Sequence, residues 1–267
     1  MKTVVITGST QGLGNALAKQ FLYSQCRVVI NGRDAKKVEE CCRILRKEIP
    51  DAVVSGFACD VRDIHALQEL WNYAVREYSV IDIWINNAGV NQPSKYLWEL
   101  EKQEIEQMIA VDLKSTIYGS QIAVNGMKKQ GGGAIYNVEG FGSNDAFRAK
   151  LSMYGTTKRA VTYFSDALAN ELKEFNTGII VGKISPGLII TDFLTKRLGS
   201  DKETPLTPQE KKVYNILGDY PETIAKYVVY KLLTNTKSGI RINWLTNRKA
   251  AKRFLLSIVH RRNFFEN

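Results

Sequence analysis

Three short stretches of this chain are apolar at consecutive positions: Val4-Val5-Ile6, Val28-Val29-Ile30 and Ile83-Trp84-Ile85. Successive side chains of a strand point to opposite faces, so strands of this kind leave no face for water. They belong inside a parallel sheet covered on both sides. Similar runs recur at 53–57, 134–138 and 178–184, with a last one at 240–245. Between them, apolar residues fall at helical spacing near 12–24, 35–48, 63–78, 101–128, 153–175 and 222–234. Alternating strands and helices predict β-α-β units, hence an α/β fold with one doubly wound sheet. No repeat or linker divides the 267 residues, so one domain over 1–267 is expected. The stretch 193–220, with Gly199, Pro205, Pro208 and Gly218, is the least regular and reads as a lid or loop over a substrate site.

Composition removes several classes of function. The two histidines, His65 and His260, nearly exclude a histidine-rich zinc site and a haem site. Cys26, Cys41, Cys42 and Cys59 include no Cys-x-x-Cys pair. No signal-like segment precedes the first strand, and no run of 18 apolar residues occurs. Reduced thiols and a cytoplasmic location are therefore expected. The net charge of +10 is uneven: residues 241–267 hold seven of the 37 cations against one of the 27 acids.

The first strand runs into Thr7-Gly8-Ser9-Thr10-Gln11-Gly12-Leu13-Gly14, and a helix begins there. Glycines let the backbone turn tightly and approach an anion, while a helix N-terminus offers unpaired N–H groups and partial positive charge. The context, between a strand and a helix at the start of a β-α-β run, is that of a Rossmann-type pyrophosphate cradle. The second strand ends Asn31-Gly32-Arg33, with no carboxylate at its tip. A carboxylate there would hold the ribose hydroxyls and repel a 2′-phosphate, whereas a guanidinium grips one. Arg33 therefore favours NADP(H) over NAD(H).

Further segments follow in order: Asn86-Asn87-Ala88-Gly89 after the fourth strand, Tyr154-x-x-x-Lys158 on a helix, and Pro186-Gly187 with Thr191 after the sixth strand. With the glycine loop, these resemble the short-chain dehydrogenase/reductase family over about 2–192. The resemblance implies that Gly8, Ser9, Thr10, Gln11, Gly12, Leu13 and Gly14 surround the pyrophosphate. It further implies cofactor contacts from Asp60 and Val61 at the adenine, and from Asn87, Ala88, Gly89, Pro186, Gly187 and Thr191. Tyr154 and Lys158, four apart, share a helix face. A nearby ammonium favours the phenolate, which brings an otherwise weak acid into range. Tyr154 is thus the expected proton donor and Lys158 its partner, also placed to hold the cofactor ribose. Family members commonly form dimers or tetramers, so a homo-oligomer is expected.

Two positions depart from the family pattern. Many members have a serine thirteen residues before the tyrosine; here it is Phe141, inside Asn137-Val138-Glu139-Gly140-Phe141-Gly142-Ser143. Ser143 is the nearest hydroxyl, with Asn137 and the glycine amides as other donors, and Glu139 sits where a carboxylate would oppose a developing oxyanion. Asp112 stands where many members have an asparagine whose carbonyl holds a relay water. The altered loop, Tyr154-Gly155-x-Thr157-Lys158 and Pro221-Glu222-Thr223 are similar to the chlorophyll b reductase branch of the family.

The tail from Asn247 carries Ala251, Phe254, Leu255, Ile258 and Val259 in one stripe, with Arg248, Lys249, Lys252 and Arg253 mostly opposite. Such a helix at 247–267 either docks on its own chain or lies on an anionic membrane surface. No module or aromatic-interleaved patch suggests nucleic acid. The expected function is NADPH-dependent reduction of a ketone or aldehyde on a bulky hydrophobic small molecule. The alternatives are reduction of a tetrapyrrole formyl group and a silent NADP(H)-binding sensor or scaffold.

Overall fold

A computed structural model describes residues 1–191, 206–259 and 262–265. Seven strands form one all-parallel sheet: β1 (Thr3–Ile6), β2 (Arg27–Gly32), β3 (Val54–Ala58), β4 (Ile83–Asn86), β5 (Gly133–Val138), β6 (Ile179–Ser185) and β7 (Arg241–Asn243). Their order is β3-β2-β1-β4-β5-β6-β7. The described helices are α1 (Gly12–Tyr23), α2 (Ala35–Glu48), α3 (Ile64–Tyr78), α4 (Lys102–Met108), α5 (Ser115–Gln130), α6 (Ser152–Glu174), α7 (Pro208–Leu217), α8 (Pro221–Thr234) and α9 (Asn247–Leu256). This is a single Rossmann-like domain.

The consecutive apolar strands are buried on both faces, as their composition requires. Val4, Ile6, Val28 and Ile30 pack with α1, α2 and α8 on one side. Val5, Val29, Trp84 and Ile135 pack with α3, α5 and α6 on the other. Strand order reverses between β1 and β4, which opens a crevice at their C-terminal ends. The loops after these two strands are the glycine loop and Asn86-Asn87-Ala88-Gly89.

Local chemistry explains most helix starts. Asp34 accepts from Lys36 and Lys37 N–H at the head of α2, and Asp63 accepts from His65 N–H at α3. Helix α1 differs: its N-cap, Gln11, makes no side-chain cap bond. The head of α1, at the crevice, thus lacks the side-chain acceptor that α2 and α3 have.

Three expectations are refined. The helix expected over 101–128 is interrupted by a π-helical segment, Ile109–Lys114, which carries Asp112. Such insertions reset which side chains face a neighbour, and they concentrate at functional sites. Of the lid region 193–220, residues 193–205 lie outside the described residues, and 208–217 form α7.

The tail turns Lys249, Arg253 and Arg262 inward, while Arg248 and Lys252 stay exposed. Arg253 and Arg262 both pair with buried Asp219 and donate to carbonyls of the last turn of α7. Cations at those carbonyls complement the helix dipole. The Lys249 ammonium rests over Trp244, and desolvation there lowers its pKa to about 8. Phe254, Leu255, Ile258 and Val259 are exposed instead. The tail therefore docks on its own domain, through these cations and through Phe264 and Phe265, which pack edge-on against Tyr220 and Tyr214.

Trp84 is fully buried between β1 and β5, against Trp71, with its indole N–H on Asn86. Trp84→Ala should cost about 3–5 kcal/mol, read as a lower midpoint in denaturant unfolding at unchanged slope.

Candidate active site

One cavity of about 760 Å³ runs along the C-terminal edge of the sheet. Its floor is the crossing of the first and fourth strand loops. The Thr7 hydroxyl accepts from Asn87 and Ala88 N–H, while Asn87 Nδ2 donates to the Thr7 and Gly8 carbonyls at 2.9 Å. Gly8 has φ +61°, and a Cβ there would stand 2.8 Å from the Ala88 Cα. Any other residue would push the two loops apart. Gly8, Thr10, Gln11, Gly12, Leu13 and Gly14 line the cavity, but Ser9 does not. Ser9 is buried, with its hydroxyl on the Ile6 carbonyl and the Asn31 N–H on that hydroxyl. It shapes the loop from behind.

The cavity's far end is cationic. Exposed Arg33 and Lys37 both line it. The neighbouring carboxylate of Asp34 is engaged in capping α2. Asp60 and Val61 line the same end; Arg62 grips Asp60, holding its carboxyl below the usual range. Asn87, Ala88, Gly89, Pro186, Gly187 and Thr191 complete the wall, with the Thr191 methyl 3.8 Å from where a Gly12 Cβ would be. The unsealed head of α1 and the glycine backbone around it fit a dinucleotide pyrophosphate.

At the near end, Tyr154 and Lys158 of α6 face the cavity, with the Lys158 ammonium 5.6 Å from the Tyr154 ring centroid. Gly140 is tight against the phenol: a Cβ there would lie 2.3 Å from Tyr154 Oη. Behind Lys158 is Asp112, fully buried, with Oδ1 4.0 Å from the ammonium. Asp112 Oδ1 accepts from Val90 N–H at 2.8 Å, and Oδ2 accepts from the Thr157 hydroxyl at 3.3 Å. Burial pushes the Asp112 carboxyl up, against the opposing pull of Lys158 and these two donors. Its own carbonyl accepts from the Thr116 hydroxyl at 3.0 Å. Asp112 does not line the cavity; it touches the site through Lys158, Val90 and Thr157.

Tyr154 is itself pushed up, first by burial, then by the Asp112 charge and by Tyr214. The downward pull expected from the Lys158 ammonium is thus not what dominates at the phenol; burial is.

The altered loop is arranged differently from a donor array. The Ser143 hydroxyl donates to the Lys158 carbonyl at 3.2 Å and accepts from Gly140 N–H at 3.3 Å. Ser143 is 3% exposed and does not line the cavity. Asn137 is bound to Asn86 and Ser165. Glu139 lines the cavity, but its carboxylate is engaged: Arg241 of β7 spans it at 2.8 Å on each oxygen, and the Thr162 hydroxyl donates at 2.7 Å. The loop residues that line the cavity are Val138, Glu139, Gly140 and Phe141.

Three contributors were not singled out from the sequence. Gln92, fully buried, accepts from Met153 and Tyr154 N–H at 2.9 and 3.1 Å. It holds the head of the catalytic helix from the loop after β4. Tyr214, on α7, lines the cavity and acts on Tyr154, and Lys37 joins Arg33. Gln92 and Tyr214 act across the fold and belong to no local pattern, whereas Lys37 lies one helical turn after Arg33 and its spacing was legible in the sequence.

A dinucleotide cradle at the switch point of a parallel sheet, ending at a Tyr–Lys pair, defines a nicotinamide-dependent oxidoreductase. Residues 2–202 match the short chain dehydrogenase family model, and the chain belongs to that family. Its relatives include the chlorophyll(ide) b reductase NOL, chloroplastic, of Oryza sativa subsp. japonica, 35% identical over 96% of this chain and 74% of that protein. The probable chlorophyll(ide) b reductase NYC1, chloroplastic, of Arabidopsis thaliana is 33% identical over all of this chain, which spans 55% of that protein. These likenesses bear out the branch read from the Asn137–Ser143 loop. In fold, the 3-ketoacyl-(acyl-carrier-protein) reductase of Brucella melitensis, solved with NADH, matches with a TM-score of 0.80 over 93% of this chain and 98% of that one, at 21% identity.

Asp112→Asn should move the alkaline limb of the pH profile for carbonyl reduction to lower pH. Removing the negative charge removes one of the influences that raise Tyr154. An unmoved limb would show that Asp112 does not act on the phenol.

Proposed function

We propose that this chain reduces a formyl group on a chlorophyll-b-like tetrapyrrole, with NADPH as the reductant. The observation that carries the reaction type is the Tyr154–Lys158 pair at the cavity wall, with Asp112 behind Lys158. The substrate follows from the named relatives, which cover almost the whole chain, and from the loop that presents Phe141 where a serine is usual.

A nicotinamide held in this cradle would supply the hydride for the carbonyl carbon. The chain's own residues do the rest. Tyr154 hydrogen-bonds the carbonyl oxygen and transfers its proton there as negative charge develops, leaving a phenolate and the product alcohol. The Lys158 ammonium stabilises that phenolate until a solvent proton restores it. Asp112 restrains Lys158 at the cavity wall. Gly140 leaves the space beside Tyr154 Oη that a side chain would fill. Arg33 and Lys37 receive a 2′-phosphate, which is the basis for NADPH over NADH. Self-association through the outer faces of α5 and α6 is part of the same reading, with Tyr163 exposed on α6.

The deciding experiment follows NADPH oxidation by the purified protein with a formyl-bearing tetrapyrrole, beside steroid-like and 3-oxoacyl carbonyl compounds. Turnover on the tetrapyrrole is expected. Turnover confined to the other carbonyls moves the substrate, and tight NADPH binding without turnover on any of them moves the reading to a silent scaffold. Tyr154→Phe should lower turnover by about 10²–10⁴-fold; near-wild-type rates would overturn the mechanism. Arg33→Ala with Lys37→Ala should weaken NADPH at least about tenfold more than NADH, read by nicotinamide fluorescence titration. Equal losses for the two would remove the 2′-phosphate role.

A further inference from the structure

Two loops meet beside the cavity: Ser94 and Lys150 line it, while Tyr96 and Trp98 lie outside its lining and adjoin it through Lys150. One follows β4 and carries Tyr96 and Trp98. Their rings stack, 5.0 Å between centroids and 1° from parallel. Trp98 is 81% exposed, so this stacked pair offers a large aromatic surface to the solvent. The other loop precedes α6 and carries Lys150, which lines the cavity four residues before Tyr154. Its backbone is in the left-handed region, φ +64°, which is uncommon for a lysine.

The Lys150 ammonium rests 4.8 Å from the Tyr96 ring centroid. The nearby acids are engaged elsewhere. Glu99 accepts from Tyr96 N–H, Glu104 pairs with Lys95, and Glu210 pairs with Arg148. Among the described residues, Lys150 has an aromatic face for a partner and no carboxylate. A ring quadrupole offsets desolvation of a half-buried ammonium by only about 0.5–1 kcal/mol at such sites. A carboxylate would serve it better, with a charge-assisted bond.

We propose that Lys150 and the Tyr96–Trp98 pair form a rim subsite for a peripheral carboxylate on a flat polycyclic substrate. The carbonyl of that substrate lies at Tyr154, so this proposal rests on the reading above and deepens it. The aromatic ledge takes the plane of the molecule, and Lys150 takes the acid. The chain then discriminates between the free acid of such a substrate and its ester. Arg148, tied to Glu210 of α7 across the mouth at 2.7 Å, borders the subsite without being the free cation.

The test compares a formyl tetrapyrrole carrying a free carboxylate with its methyl ester. Both are measured by kcat/KM with saturating NADPH and by equilibrium binding with NADP⁺ present. The wild type is expected to prefer the acid on the order of tenfold, the worth of one hydrogen bond to a charged group. Lys150→Met should bring the acid-to-ester ratio close to one, and Lys150→Arg should keep most of it. Trp98→Ala should weaken both compounds. A wild-type ratio near one, or a ratio that survives Lys150→Met, overturns the subsite. If neither compound turns over, the formyl-reductase reading fails, yet the binding ratio and its response to Lys150→Met still decide the subsite.

Discussion

The site depends on one crossing. Asn87 after β4 donates twice to Thr7 at the end of β1, from its backbone N–H to the Thr7 hydroxyl and from its side-chain amide to the Thr7 carbonyl. The two strands are neighbours in the sheet, but their helices leave on opposite sides, so their loops diverge and a crevice opens. Without the Thr7–Asn87 stitch, the glycine loop would have no fixed relation to the loop carrying Gly89 and Val90. Val90 in turn anchors Asp112, and Asp112 faces Lys158. Cofactor end and reacting end are thus registered through a short chain of polar contacts, not through the bulk of the core.

The same economy holds around Tyr154. Its helix is held at its head by Gln92, and its phenol is flanked by Gly140. Asp112 reaches this neighbourhood because the π-helical segment interrupts what would have been one continuous helix. The serine that relatives of this broad family use is replaced by Phe141, and Ser143 serves the backbone of the catalytic helix instead. The loop is stiffened by the Glu139–Arg241 pair, a fully buried carboxylate matched by a guanidinium from the edge strand. Breaking such a pair leaves an uncompensated buried charge, so the pair constrains how the loop can be altered.

The basic tail shows how charge patterning can mislead. Read as a helical wheel, it has a basic face for solvent or membrane and an apolar face for the domain. In the fold, Arg253 and Arg262 converge on Asp219 and on the carbonyl end of α7, while Phe254, Leu255, Ile258 and Val259 stand outside. The buried carboxylate of Asp219 and the open carbonyls of α7 are what reverse the pattern. Neither is adjacent to the tail in sequence, and Asp219 lies more than thirty residues before Arg253.

What could be read from residue order alone was whatever repeats within a few residues. Runs such as Val4-Val5-Ile6 required burial on both faces, and hence the doubly wound sheet. The glycine loop, Asn87, Tyr154 and Lys158 are local motifs, and their chemistry is carried by spacing along one turn or one helix face. The positions of Gln92, Asp112, Glu139, Arg241 and Tyr214 were decided only in three dimensions. Each works through a partner far away in the chain, and residue order contains distance along the backbone, not the contacts that closing the sheet creates. The direction in which Ser143 points is of the same kind: its hydroxyl goes to the carbonyl of Lys158, fifteen residues on, because the packed α6 brings that acceptor within 3.2 Å.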